Sequence, residues 1–272
     1  MNGIFTRGPA ITMIAAVLFM MVDHAEARPP ELGRIQTRSY HFKSADRKMR
    51  YSLYVPSTYR ADTKTPLIVA LHGLFSNHWQ MIRYPGLTRL AEKHGYIVVA
   101  PMGYNFRGWY GSEAFLSSSE RTKRIGQLSE EDVMNVLSRT RSELNIDSDR
   151  IYLMGHSMGG GGAWHLAIKY PHLWAAIAPI APAIYRPADA LEKIPHIPVI
   201  VVQGAKDRHV NVDVTRRWVA KTKQLGMQHE YIEDPGGRHV LVAFEYLPSI
   251  FDFFDKHEKK IEHTAMLSCE RQ

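Results

Sequence analysis

Three residue types that together turn an alcohol into a nucleophile occur in this chain in a usable order: Ser157, Asp207 and His239. Ser157 sits in Gly155-His-Ser-Met-Gly159, between the apolar run Ile151–Met154 and a stretch with helical character. A strand that turns at once into a helix crowds its own backbone, so the positions two before and two after the apex must be small. The apex residue is then held clear of the sheet, and the next amide, that of Met158, lies at a helix N-terminus. This is the G-x-S-x-G nucleophile turn. A hydroxyl near neutral pH needs a base to attack a carbonyl, and the expected chain order is serine, acid, histidine. Asp207 follows the apolar run PVIVVQGA, and His239 follows HEYIED in a loop loosened by Gly236 and Gly237. The expectation is that His239 takes the Ser157 proton while Asp207 fixes the imidazole tautomer and stabilises the imidazolium.

Acyl transfer through such a serine also needs donors for a tetrahedral oxyanion. His72-Gly-Leu-Phe75 follows the run PLIVAL, and its turn leaves amides unpaired, so Leu74 N–H and Met158 N–H are the two expected donors. Other candidates read as structural. Asp213 opens a helix and reads as its cap, Asp234 ends a strand before Pro235, and His209 is crowded against Asp207. His72, His78, His156, His165 and His172 show no metal-ligand spacing, so neither a metal nor another cofactor is expected.

The elements that must carry these residues are legible as apolar runs bounded by turn signals. Ile35–Phe42 and Met49–Val55 alternate and are joined at Ser44–Arg47, as in an antiparallel hairpin. The later runs, at 66–73, 96–102, 150–157, 174–181, 198–205 and 229–234, read as strands covered on both faces. Helices are expected at 86–93, 129–144, 159–169, 212–225 and 242–256. In the second of these, Ser129 is the expected cap, with Glu130, Glu131 and Asp132 at the positive end. The alternation gives an α/β fold: a mostly parallel central sheet flanked by helices, with an antiparallel hairpin at its N-terminal edge.

The 272 residues, 45% hydrophobic, suffice for one large core. No linker or repeat divides them. Residues 1–27 pair Arg7 with the apolar stretch Ile11–Val22 and end in Ala25-Glu-Ala27, the pattern of a cleaved signal peptide. Residues 28–258 then form a single catalytic domain and 259–272 a polar tail. The apolar stretch is shorter than the roughly 20 residues that span a bilayer, so a secreted or periplasmic protein without a membrane anchor is expected. Formal charge is +7, and loss of the leader makes it one unit more positive. The basic residues are scattered without aromatic interleaving, which argues against nucleic acid. Cys269, the lone cysteine, allows no internal disulfide.

With these pieces in place, the chain from about Thr37 to Lys256 resembles the α/β-hydrolases. The motifs that carry the likeness are LHG, GHSMGG, the loop aspartate and the GG-x-H loop. The segment SEEDVMNVLSRTRSELNIDSDRIYLMGHSMGGGGAWHLAIKYPHLWAAIAPIAPA resembles secreted bacterial esterases of the feruloyl-esterase, polyhydroxyalkanoate-depolymerase and prolyl-oligopeptidase-like group. GHSMGGGG is also similar to the turn of bacterial cutinases and polyester hydrolases, although this chain has no C-terminal cysteine pair. The resemblance implies hydrolysis of carboxylic esters through an acyl-enzyme, without a cofactor.

The stretch 103–127, rich in aromatics and glycines, is long for a connection and reads as a substrate-binding loop. Tyr104, Phe106, Trp109 and Tyr110 are expected to line an acyl or aromatic cleft. Phe75 and Trp79, beside the oxyanion turn, would form its other wall. Trp164 and Trp174 read as core. The segment 184–198 holds no cap-sized insertion, so an open cleft for small or polymeric esters is expected. A peptidase of the same fold, an acyltransferase and a non-catalytic binding module stay open as alternatives.

Overall fold

Strand and helix alternate along the chain as the apolar runs require. The structure, a computed structural model, describes residues 29–112 and 119–259. The proposed leader, most of the tail and Cys269 lie outside the described residues. The strands are β1 (Ile35–Phe42), β2 (Arg47–Tyr54), β3 (Thr65–Leu71), β4 (Ile97–Pro101), β5 (Ile146–His156), β6 (Ala176–Ile180), β7 (Val199–Gly204) and β8 (His229–Asp234). They form one sheet of eight strands in the order β1-β2-β4-β3-β5-β6-β7-β8. β2 pairs antiparallel with β1 and with β4, and every later pairing is parallel. The expected α/β architecture, with its antiparallel N-terminal edge, is therefore present.

The helices are α1 (His78–Met81), α2 (Leu87–His94), α3 (Glu120–Glu143), α4 (Met158–Lys169), α5 (Val212–Gln224), α6 (Val242–Glu245) and α7 (Leu247–Phe254). They cover both faces of the sheet, and two buried clusters result. Trp164, Trp174, Leu153 and Val201 belong to one; Phe251, Phe254, Tyr152 and Ile200 belong to the other. β3, β4, β6 and β7 are buried along their whole length, which explains their unbroken apolar character. β8 differs: it is the edge strand, and none of its residues is fully buried.

Three boundary expectations need correction. α3 begins nine residues before the expected start, with Ser119 accepting from the Thr122 amide as its cap. Ser129 is therefore a buried mid-helix residue whose hydroxyl accepts from the Tyr110 amide at 3.0 Å. Glu130 and Asp132 bridge elements instead of serving a helix end. Glu130 meets His165, Lys169 and Tyr170 at 2.8, 2.5 and 2.6 Å. Asp132 accepts from Tyr40 at 2.6 Å and from the Gly103 amide at 2.7 Å. Next, the expected helix at 242–256 is two helices, because Pro248 has no N–H to continue the first one. Finally, α5 is capped by Asn211, which accepts from the Asp213 amide at 2.9 Å, so Asp213 is a first-turn residue and not the cap.

Candidate active site

The carboxyl ends of β3, β5, β7 and β8 place the candidate residues on one side of the sheet. Open parallel sheets bind ligands at this end. Ser157 stands at the β5–α4 junction with φ 57° and ψ −116°. Few side-chain-bearing residues adopt this backbone, and holding one there costs roughly 1–3 kcal/mol. The surroundings enforce it. The Ser157 amide donates to Ile180 O at 2.8 Å, and Ser157 O accepts from Gly161 and Ala183 amides, each at 3.0 Å. A Cβ on Gly155 would collide with the Gly159 carbonyl, and one on Gly159 would collide with the Leu71 carbonyl. Glycine is thus sterically required on both sides of the apex.

The turn at His72–Phe75 packs directly against the serine: a Cβ placed on Gly73 would lie 3.4 Å from the Ser157 Cβ. Phe75 N donates to Phe106 O at 2.9 Å, and Ser76 N donates to Gly73 O at 3.1 Å. Among the described residues, the Leu74 and Met158 amides take no part in the turn, loop and cap hydrogen bonds. Both amides belong to segments that adjoin Ser157: Leu74 follows Gly73, and Met158 is the next residue in the chain.

Two backbone bonds bring the other pair together. Ala205 N donates to Asp234 O at 2.8 Å and Lys206 N to Gly237 O at 3.0 Å, tying the loop after β7 to the loop after β8. His239 Nδ1 then lies 2.6 Å from Asp207 Oδ2. The Asp207 side chain has no solvent exposure. Its oxygens also accept from the His209 and Val210 amides at 2.8 and 2.9 Å and from Gln203 Nε2 at 3.2 Å. Burial pushes the carboxyl pKa up, but the His239 hydrogen bond and the two amides outweigh it, and the net shift is downward. An ionised Asp207 holds the Nδ1 proton of His239 and leaves Nε2 free to accept another. No direct hydrogen bond joins the Ser157 hydroxyl to His239 among the described residues. Catalytic hydrogen bonds are often long in unliganded sites and tighten with substrate.

Residues that sequence reasoning passed over support this pair. Gln203 is fully buried at the carboxyl end of β7 and accepts from Thr215 Oγ1 at 2.9 Å while donating to Asp207. Its signal was a lone polar residue closing an apolar strand. His209 does not displace Asp207: its amide serves the carboxylate, and its ring lies 5.0 Å from the His239 ring. Asp234 is a turn residue, accepting from the Gly236 amide at 2.8 Å.

The expected aromatic walls divide. Phe75 and Trp79 are 61% and 50% exposed, and Phe106 is also exposed. The Phe75 and Phe106 rings are 6.1 Å apart, and the Arg107 guanidinium lies 4.6 Å from the Phe75 centroid. Tyr104 is half-buried against the core under the guanidinium of Arg47. Tyr110 is a correction. It is wholly buried, its hydroxyl donates to His72 O at 3.1 Å, and its ring fills the space beside Gly103 and Gly162. Trp109 is likewise buried, with its ring 5.5 Å from that of Tyr185. The expected loop is also shorter, since residues from Glu120 onward are helical; positions 113–118 lie outside the described residues. Trp164 and Trp174 are core, as expected.

Among the described residues, one group brings possible metal ligands together, His94, Asp252 and Asp255. It lies at the opposite end of the sheet, before β4, where His94 pairs with Asp255 at 2.6 Å. Also among the described residues, no helix is long and apolar enough to cross a membrane.

The fold is of the α/β-hydrolase type, with a strained serine turn and a hydrogen-bonded Asp207–His239 pair at the carboxyl end of its sheet. The model of the Esterase family matches residues 43–246, and the chain belongs to that family. S-formylglutathione hydrolase from Rattus norvegicus is 29% identical over 150 residues, covering 50% of this chain and 52% of the relative. The bifunctional acetylxylan esterase/xylanase XynS20E from Neocallimastix patriciarum is 27% identical over 169 residues, covering 58% of this chain and 21% of the relative. The chain thus spans about half the length of the first of these relatives and about a fifth of the second. The crystal structure of a thermostable esterase superposes with a TM-score of 0.69 at 23% identity, covering 83% of this chain and 63% of that one. That likeness establishes the fold. Family membership and these hydrolase relatives support a carboxylic ester hydrolase.

Proposed function

We propose that this protein is a serine carboxylester hydrolase that works through an acyl-enzyme on Ser157. The observation carrying this reading is the 2.6 Å hydrogen bond from His239 Nδ1 to the buried Asp207, on the same sheet end as the strained Ser157. In the first step Ser157 Oγ attacks the ester carbonyl carbon and its proton passes to His239 Nε2. The oxyanion forms beside the Leu74 and Met158 amides. The intermediate collapses, the C–O bond to the alcohol breaks, and His239 returns the proton to the leaving oxygen. Water then repeats the sequence and frees the acid, with Asp207 ionised throughout.

The substrate class favoured by the site is an ester with an aromatic or extended apolar part, including feruloyl-type and polymeric esters. Phe75 and Phe106 support this, because they expose two rings beside the Leu74 donor. A panel of p-nitrophenyl acetate, methyl ferulate, acetylated xylan, a polyester film and S-formylglutathione tests it. Preference for an aminoacyl-anilide over all of these would favour the peptidase reading instead. Export with loss of residues 1–27 is part of the same proposal, checked by the mass of the protein recovered outside the cytoplasm.

A further inference from the structure

We infer that His156 is a positioning residue for the base, tying the His239 loop to the turn that carries Ser157. This rests on the triad reading above. His156 immediately precedes the nucleophile and is buried. Its Nε2 lies 2.9 Å from the His239 carbonyl oxygen, and its Nδ1 lies 2.9 Å from the Tyr84 hydroxyl. A carbonyl can only accept, so Nε2 carries the ring proton. Nδ1 therefore accepts, and the Tyr84 O–H donates to it. The Tyr84 ring is set edge-on to Phe244 in α6, at 5.3 Å between centroids, which fixes the donor.

This hydrogen bond runs directly from the turn that carries Ser157 to the loop that carries His239. Asp207 sets the rotation and tautomer of the His239 ring, but it belongs to the same pair of joined loops and does not fix their distance from Ser157. The bond from His156 to the His239 backbone crosses from the β5–α4 turn to the loop after β8. The His156 and His239 rings lie 4.8 Å apart, so a charge on His156 would oppose the imidazolium that forms at His239. Burial, and then the neighbouring His239, hold the His156 pKa down to about 4, and the ring is neutral where the enzyme would work.

The test exploits the two ring nitrogens. A glutamine amide reaches the position of Nε2, whereas an asparagine amide reaches only that of Nδ1. With p-nitrophenyl ester as substrate, His156→Asn is expected to lower kcat about 10- to 100-fold, the cost of a small misplacement of reacting groups, with KM nearly unchanged. His156→Gln is expected to recover most of that loss. Fluorophosphonate titration counts competent sites, so that loss of folded protein is separated from loss of rate. Should His156→Asn fail to fold, Tyr84→Phe decides: losing the fixing hydroxyl should lower kcat about threefold or more at constant KM. Wild-type kcat per site in His156→Asn, or equal losses in the Asn and Gln variants, overturns the inference; so does unchanged kcat in Tyr84→Phe. Ser157→Ala serves as the separate control. If it keeps full activity, the triad reading itself has failed.

Discussion

His239 Nδ1 and Asp207 Oδ2 are 2.6 Å apart, and the carboxylate has no contact with solvent. A buried acid in contact with a histidine that is itself near a strained serine has one economical explanation: orientation and charge compensation for a base. Asp207→Asn would keep the shape but donate where it must accept, forcing the wrong tautomer. Ester hydrolysis should fall about ten-thousand-fold in kcat, with KM little changed, as steady-state kinetics would show. A loss under tenfold would assign Asp207 a loop-capping role only.

Gly159 supports the apex by what it lacks. An alanine there would drive its methyl into the Leu71 carbonyl, and it would also lie 2.8 Å from His72 O. Either the helix shifts or the turn at Leu71–His72 does. Gly159→Ala is expected to cost about 1–3 kcal/mol in denaturant unfolding. In the folded fraction, kcat should fall together with the rate of Ser157 modification by fluorophosphonate.

Two buried acids in α3 give opposite pH signatures. Desolvation raises the Asp132 pKa from 3.8 to about 6, despite the hydrogen bonds from Tyr40, Tyr104 N and Gly103 N. Its folded value exceeds its unfolded value, so the stability it contributes is full below about pH 4 and is lost as pH rises through about 6. Burial also acts to raise Glu130, but His165, Lys169 and Tyr170 outweigh it and bring it from 4.5 to about 2. Its contribution is present above about pH 4.5 and is lost as pH falls towards about 2. Urea midpoints measured from pH 2 to 7 should show both limbs. Asp132→Asn should remove the upper one and Glu130→Gln the lower one.

Phe75 holds an aromatic ring in solvent from a left-handed backbone, with φ 62°. An exposed ring contributes little to folding, so Phe75→Ala should stay within about 0.5 kcal/mol of the parent in stability. If the ring contacts substrate, kcat/KM for an aryl ester should fall about tenfold while that for a small acetyl ester holds. Equal effects on both esters would remove Phe75 from the specificity surface.

Most of the site was readable because its constraints are local. The glycines flanking Ser157 encode a turn that no other residue permits, Asp207 follows an apolar strand, and His239 follows the edge strand β8 in a loop loosened by Gly236 and Gly237. What escaped the sequence depends on contacts between elements. Ser129 looked like a cap because it precedes three acids; the helix actually starts at Ser119, and the acids bind partners on other elements. Tyr110 looked like a cleft residue because it lies in a glycine-rich loop, yet the bare surfaces of Gly103 and Gly162 make room for its ring in the core. His156 was invisible as a tie because its acceptor is a backbone carbonyl 83 residues away, and backbone partners leave no residue-type signature.

During turnover the Ser157 oxygen is expected to become covalently acylated, and its removal is expected to stop the reaction. The most direct measurement is mass spectrometry of the protein quenched during hydrolysis of a p-nitrophenyl ester, run beside Ser157→Ala. The expected result is one acyl group on the peptide containing Ser157, no adduct in the variant, and a kcat at least about a thousandfold lower in a variant that still folds. An adduct on another residue, or a folded Ser157→Ala protein with parental turnover, would contradict it.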